Sequence, residues 1–355
     1  MKYLKRIAGW FFLIVLVILF IGIGFMVYTT LTEYKPDNIT LLGIHKPAVK
    51  ITPDTKDELN ILTWNIGYAG LGKEMDFFYE GGKMVRPTTE LNKGYLENIL
   101  NEVKRADTTD FIFIQEVDQR AKRSHFTDQV EAFQNKMNDY YTVFGVNYDV
   151  PFVPIPTMEP MGRVKAGQMT LSKMAPDSAI RYRLHETYTW PKRLFLLKRC
   201  FIHTQYTLPS GKILSMINLH NSAFGDAVEA RKQDLIALKQ LMYTLWAKGH
   251  YVIAGGDWNQ NPPGFDPDLI KDGNKAYAFE HVPVSFSPKG WTWATDPSKA
   301  TNRDVNEPFV KGGTKATTID FFIVSPNVSI VSVNTNSNGF VNSDHQPVAL
   351  KVRLN

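Results

Sequence analysis

The sequence has a single cysteine, Cys200, among 355 residues, which excludes an intramolecular disulfide framework and any Cys-rich zinc site. It has no H-E-x-x-H, so a structural or zincin-type zinc centre has no support. It also lacks G-x-x-x-x-G-K-[ST] and G-x-S-x-G, which removes a P-loop and a serine-hydrolase elbow. Charge of one sign is scarce: 40 Lys+Arg face 35 Asp+Glu, a net of only +5. With 44% hydrophobic and 21% charged residues, the composition is that of a folded globular chain, not of a disordered or low-complexity one.

One long apolar run is present. No charged residue occurs from Ile7 to Leu31, and its centre reads Trp10-Phe11-Phe12-Leu13-Ile14-Val15-Leu16. About 20 apolar residues at 1.5 Å each cross the ~30 Å hydrocarbon core. A cleaved signal peptide carries a shorter apolar region, about 7–15 residues, and a small-x-small site. Tyr28-Thr29-Thr30 is a poor site of that kind. An uncleaved anchor is therefore the favoured reading over a signal peptide or a buried core helix. Lys2, Lys5 and Arg6 precede the run, and Glu33, Lys35 and Asp37 follow it with mixed sign. The positive-inside tendency then leaves residues 1–6 as a cytoplasmic tail, 7–31 as the transmembrane anchor, and the rest on the extracytoplasmic side. Without the three N-terminal cations the net charge drops from +5 to +2, weak support for a nucleic-acid binder.

Residues 32–58, with Pro36, Pro47 and Pro53, suit a linker and a first edge segment. No further break in composition and no repeat appears, so 59–355 is expected to form one catalytic domain. Leu59–Asn65, Asp110–Val117, Tyr141–Val146 and Tyr251–Gly255 are short apolar runs expected as strands. Leu96, Ile99, Leu100 and Val103, and then Val130, Phe133 and Met137, recur at helical spacing. Arg193–Tyr206 and Lys212–His220 flank the turn Leu208-Pro209-Ser210-Gly211 and are expected as a hairpin, with Cys200 as buried packing. Asp226–Lys248 is a long amphipathic helix. Ile319–Val324, Ser329–Asn334 and Pro347–Arg353 close the chain as strands. Strands outnumber helices and several are hairpin-linked, which favours a mixed-sheet α/β sandwich over a doubly wound parallel sheet.

Polar residues sit where these strands end. Asn65, Glu116, His220, Asp257 with Asn259, Asp320, and Asp344-His345 each follow or interrupt an apolar run. For any one of them taken alone, a satisfied core residue is the commoner reading. Six strand ends each bearing a hard oxygen ligand or an imidazole point to convergence at one rim, because an unpaired buried charge costs several kcal/mol. Carboxylates and amides suit Mg²⁺ or Mn²⁺, and histidines beside them suit a phosphoryl transition state.

Thr63-Trp64-Asn65-Ile66, Ile114-Gln115-Glu116-Val117, Asn218-Leu219-His220, Gly256-Asp257-Trp258-Asn259, Ile319-Asp320-Phe321 and Ser343-Asp344-His345 occur in that order. Together, from about Leu59 to Leu354, they resemble the endonuclease/exonuclease/phosphatase superfamily. That superfamily includes pancreatic-type deoxyribonuclease, sphingomyelinases and inositol polyphosphate phosphatases. The resemblance implies a four-layer α/β sandwich, two packed mixed β-sheets flanked by helices, preceded here by one N-terminal transmembrane helix. It implies Glu116 as principal metal ligand with Asn65 and Asp344 beside it, and Mg²⁺ (or Mn²⁺) as the cofactor. It implies Asp257 as general base aided by Asn259, His345 facing a phosphate oxygen and oriented by Asp320, and His220 as the second imidazole. Glu159, in Glu159-Pro160-Met161-Gly162-Arg163, resembles the deoxyribonuclease glutamate that supports the equivalent of His220; a surface acid is the alternative.

Three departures bear on the substrate. Asp118 stands where pancreatic-type nucleases place a DNA-contacting arginine, and an acid there is expected to repel phosphate. The deoxyribonuclease disulfides are missing, and Gly67 replaces an acidic residue of abasic-site enzymes. The resulting expectation is a membrane-anchored, metal-dependent phosphodiesterase acting on a phospholipid or sphingolipid headgroup, with Val150–Pro156 as an apolar loop beside the site that touches lipid or, alternatively, packs on its own core. The alternative is an anchored deoxyribonuclease-type endonuclease or exonuclease, with Lys192, Arg193, Lys198 and Arg199 as phosphate contacts. A non-catalytic binding module is the remaining reading. No protein partner is implied.

Overall fold

The computed structural model describes residues 2–49, 58–106, 108–185, 188–222 and 228–355. Pro53 of the connecting stretch, and Asp226 and Ala227 of the expected long helix, lie outside the described residues. In chain order the elements are α1 (Lys2–Leu31), β1 (Ile39–Leu41), β2 (Ile44–His45), β3 (Glu58–Asn65), α2 (Thr89–Arg105), β4 (Phe111–Asp118) and α3 (Gln129–Lys136). There follow β5 (Tyr141–Val153), β6 (Gly162–Ser172), β7 (Ser178–Arg183), β8 (Cys200–Thr207), β9 (Ile213–His220), α4 (Val228–Ala247) and β10 (Tyr251–Asp257). The chain closes with β11 (Lys275–Ala276), β12 (Thr292–Ala294), β13 (Asn302–Arg303), β14 (Lys315–Thr317), β15 (Asp320–Val324), β16 (Val328–Thr335) and β17 (Val348–Leu354).

Two seven-stranded mixed sheets result. One runs β1-β7-β8-β9-β10-β15-β12 and the other β16-β17-β3-β4-β6-β5-β2, with β11-β14-β13 as a small third sheet. Within the large sheets the parallel pairs are β9–β10 and β3–β4. Strand periodicity builds the layers, since alternate residues face opposite sides. Ile61, Phe111 and Phe113 face Met216, Ile253 and Phe322 between the sheets. Their neighbours Leu62, Ile112 and Ile114 face outward onto Leu96, Ile99 and Val103 of α2 and Phe133 of α3. On the far side, Ile217, Val252 and Ala254 pack against Leu238, Met242 and Leu245 of α4. The order α2/α3, sheet, sheet, α4 is the expected four-layer sandwich. Local signals start the helices: Thr88 accepts from the Leu91 amide ahead of α2, and Asp128 from the Glu131 amide ahead of α3.

Some elements differ from the sequence expectation. The first hairpin strand begins at Cys200, not Arg193, and Lys192–Phe195 is a short 3-10 turn. Lys192, Arg193, Lys198 and Arg199 therefore all precede the strand. β5 extends to Val153, so Val150 and Val153 of the expected apolar loop are buried in a strand. β6, paired with both β4 and β5, has no counterpart in the expected elements. Its polar residues hide it, because Gln168 and Thr170 are buried and bonded inside; Gln168 Nε2 donates to the Cys200 carbonyl at 2.8 Å. In the connecting segment β1 joins the edge of one large sheet through β7, and β2 the edge of the other through β5. The α1 helix is long and apolar enough to cross a membrane.

Candidate active site

The polar residues at strand ends meet at one rim of the sandwich. β10 lies between parallel β9 and antiparallel β15, in a register that sets Asp257 level with His220 on one side and Asp320 on the other. Close approach at this point depends on glycine. A Cβ on Gly256, at φ +141, would fall 2.0 Å from the Leu219 carbonyl oxygen. From the other sheet, Asn65 closes β3 and reaches across: its Nδ2 donates to Asp257 Oδ2 at 3.0 Å and to Glu116 Oε1 at 3.3 Å. Glu116 sits at φ +55 where the β4–β6 register breaks between Ile114 and Val117. Such a bulge re-aims a side chain, and a non-glycine residue held there costs about 1–3 kcal/mol. Gly67 is at φ +49, and a Cβ there would lie 2.7 Å from Asp344 Oδ1, so the Asp344 carboxylate occupies the space beside it.

Two imidazoles bracket Asp257. His345 Nδ1 is 2.8 Å from Asp320 Oδ2, and its Nε2 lies 3.9 Å from both Asp257 Oδ2 and Asp344 Oδ2. Burial opposes its charged form, but Asp320 and Asp344 outweigh burial and hold it as imidazolium, well above the ordinary histidine range. His220 Nε2 is 3.3 Å from Asp257 Oδ2. Burial, with the Arg199 and His345 charges adding, keeps that ring neutral. Asp257 is itself pushed up to about 7, chiefly by burial; His345 opposes the shift and Asp320 adds to it. The Asn259 amide donates to Asp257 Oδ1 at 2.8 Å, while the Asn259 side chain is spent on the Asn221 carbonyl.

Negative charge is in excess here. Glu116, Asp257, Asp320 and Asp344 converge, and among the described residues their ion-pair partners are His220 and His345 only, with no lysine or arginine. Burial pushes the Asp344 carboxyl up; His345 opposes this and Glu116 adds to it. Asp257, Asp320 and His345 bring ligand-type atoms within 4.8 Å of one another. Asp320 meets His345 through Oδ2 and keeps a buried Oδ1 with no partner among the described residues, while Glu116 Oε1 accepts from Asn65 and Asp344 Oδ1 from Ser343, so each of these carboxylates retains lone pairs for a ligand. A hard divalent cation suits that donor set.

The structure brings together Asn65, Glu116, His220, Asp257, Asn259, Asp320, Asp344 and His345, and leaves Glu159 out. Glu159 is a surface acid whose side chain is 61% exposed and paired with Arg86 at 3.1 Å. The Nδ1 of His220 has no hydrogen-bond partner among the described residues. The expectation for Asp118 is also corrected. It is fully buried and bound by the Arg123 guanidinium at 2.8–3.2 Å, which in turn stacks 3.7 Å over the Tyr68 ring. Asp118 therefore faces no phosphate and says nothing about substrate. Two residues join the site. Asn302, on β13, lies 3.0 Å from His345 Nε2, and no sequence signal marks it. Arg199, one of the four cations offered as phosphate contacts, lines the cleft with its Nη1 buried and unpartnered among the described residues. Lys198 and Arg193 instead bind Glu33, and Lys192 lies over Tyr188. The cleft measures about 740 Å³; Met161, Tyr188, Leu196 and Leu197 form its apolar wall.

Compared with known proteins, residues 62–345 match the family model of the Endonuclease/Exonuclease/phosphatase family. Similar solved structures include an endonuclease/exonuclease/phosphatase of Beutenbergia cavernae, 18% identical over 84% of this chain and 72% of that one, with a TM-score of 0.55. Another, from Bacteroides vulgatus, is 16% identical over 84% of this chain and all (100%) of that one, with a TM-score of 0.54. Truncated Caenorhabditis elegans TDP2 is 14% identical over 84% and 100%, with a TM-score of 0.50. At these identities the likeness is one of fold. No curated protein matches the chain.

Proposed function

This chain belongs to the endonuclease/exonuclease/phosphatase family, and we propose that it is a membrane-anchored, divalent-metal-dependent phosphodiesterase whose substrate is a phospholipid or sphingolipid headgroup. The observation that carries the chemistry is the placement of Asp257, level with His220 and Asp320 and bonded to Asn65, inside a cluster of four carboxylates with no lysine or arginine ion-pair partner among the described residues. Glu116 and Asp344, with the Asn65 side chain, would hold Mg²⁺ or Mn²⁺. When bound, that ion supplies positive charge to the phosphate oxygens.

Asp257, ionised, accepts a proton from the attacking water as the new oxygen–phosphorus bond forms in line with the bond that breaks. Asn259 and Asn65 fix its carboxylate through their N–H groups. His345, held protonated by Asp320, donates to a non-bridging oxygen, and Arg199, which also lines the cleft, adds a second fixed cation. His220, neutral, lies with Nε2 near Asp257 and donates a hydrogen bond to a phosphate oxygen or to the leaving oxygen, which departs with the bonding pair and takes up a proton from solvent. Catalysis of this kind is mostly positioning and charge stabilisation. The anchor would be residues 7–31, with Lys2, Lys5 and Arg6 on the cytoplasmic side and the body from residue 59 outside. A nucleic-acid track gains little support, because Lys198 and Arg193 are tied to Glu33.

The test offers the full-length protein, with Mg²⁺ and an Asp257→Asn control, mixed phospho- and sphingolipid vesicles and supercoiled plasmid side by side. Headgroup release that the control lacks is the expected result. Plasmid nicking without headgroup release would make the chain an anchored nuclease and overturn the lipid assignment.

A further inference from the structure

The C-terminal end of α1 is covered by the body. Phe25, Met26, Thr29 and Thr30 form a partly to fully buried stripe on a helix that is otherwise exposed, at the spacing of one helical face. Phe25 stacks on Phe195 with ring centroids 5.9 Å apart and meets Phe152 edge-on at 6.1 Å. Trp190 donates its indole N–H to Thr30 Oγ1 at 3.2 Å. Just past the helix, Glu33 is bound by Arg193 and Lys198 at 3.2 and 3.1 Å. The anchor is thus docked on the body through rings, a hydrogen bond and ion pairs.

Docking fixes depth. Arg6 is the last charge before the apolar run, and Phe25 lies 19 residues further on. At 1.5 Å per residue that is about 28 Å, no more than the ~30 Å hydrocarbon thickness, and tilt only shortens the depth spanned. With Arg6 at one face of a bilayer, Phe25 lies at or inside the opposite hydrocarbon boundary, and Phe152 and Phe195 lie there with it. The adjoining surface of the body is apolar and uncovered: Phe152 is 39% exposed, Ile155 42%, Trp190 54% and Met158 96%. In water such a cluster is unfavourable. At a bilayer surface an apolar ring with a polar N–H is favoured, as on Trp190.

We propose that Phe152, Ile155, Met158 and Trp190 form a rim bedded in the same bilayer that α1 crosses, which holds the mouth of the cleft at the level of the lipid headgroups. Met161, Tyr188, Leu196 and Leu197 of the cleft wall are near neighbours of these residues in the chain and connect the rim to the catalytic carboxylates. This rests on the reading of α1 as a membrane span and not on the chemistry of the site.

The test uses the full chain reconstituted in phosphatidylcholine vesicles. Cysteines are introduced singly at Met158→Cys, Ile155→Cys and Val331→Cys and labelled with an environment-sensitive fluorophore. The native Cys200 is buried, and the unsubstituted chain gives the background. Val331 is an exposed apolar control on β16, at the opposite edge of the sheet from β2 and β5. The expected result is blue-shifted emission and loss of iodide quenching at 155 and 158, with full quenching at 331. Equal iodide quenching at all three positions overturns the proposal. Because no turnover is read, a bedded rim on an inactive protein refutes only the proposed chemistry, and a wet rim on an active one refutes only this inference.

Discussion

Arg199 Nη1 is buried in the cleft with no hydrogen-bond partner among the described residues, which fits the proposal that a substrate oxygen supplies one. Burial pulls the Arg199 pKa down, while Asp257 and Glu116 partly restore it, and arginine stays charged throughout. Replacement by glutamine should lower kcat/KM by about 10²-fold, the usual cost of deleting one fixed donor to a developing negative charge. Lysine should restore part of the loss, since it keeps the charge but not the planar fork. Melting should not weaken, because the buried Nη1 bonds no group among the described residues. A kcat/KM unchanged in Arg199→Gln would remove Arg199 from the phosphate site. In the sequence this residue was one of four cations within eight positions, and only the fold separates it from the others. Glu33, more than 150 residues away in the chain, takes Arg193 and Lys198.

At the level of elements, the site depends on how closely β10 lies against β9. Alanine at Gly256 would add overpacking against the Leu219 carbonyl, about 1–3 kcal/mol, to backbone strain of similar size. Relief requires β9 and β10 to separate, which also uncouples Asp257 from His220. Gly256→Ala should therefore lower both the melting temperature and the turnover. Gly211→Ala, at φ +79 with nothing within 4 Å, should cost only about 1 kcal/mol and leave turnover intact. Equal melting of the two variants would show that the close approach does not matter. The residues at the ends of apolar strands were legible from sequence because each put a charge or amide where burial made it expensive. Glu159 was misread because its partner, Arg86, is distant in the chain, and Asp118 because the turn that brings Arg123, five residues on, back onto it leaves no mark in the sequence. β6 was missed because its buried amide and hydroxyls break the apolar pattern of a strand.

Only the whole molecule assembles the site. Asn65, Glu116 and Asp344 belong to one sheet and its loops, while His220, Asp257 and Asp320 belong to the other, and the hydrogen bonds of Asn65 join the two. Sequence order gave the set of residues, and the four-layer architecture followed from the family resemblance. Neither revealed that α1 docks on the body, because the contacts of Phe25 with Phe152 and Phe195 have no local signature.

The most direct test of this assembled site is the pH dependence of phosphodiester hydrolysis by the full-length protein at several Mg²⁺ concentrations, starting from metal-stripped enzyme. Asp257 must be ionised to accept a proton, and burial places its titration at about 7, so the rate should fall as pH drops through that region. A divalent cation held by Glu116 and Asp344 favours the charged carboxylate. The acidic limb should then move to lower pH as Mg²⁺ is raised, with no turnover in its absence. Turnover in the stripped enzyme, or an acidic limb that stays fixed at every Mg²⁺ concentration, would contradict a cation-assisted Asp257 base.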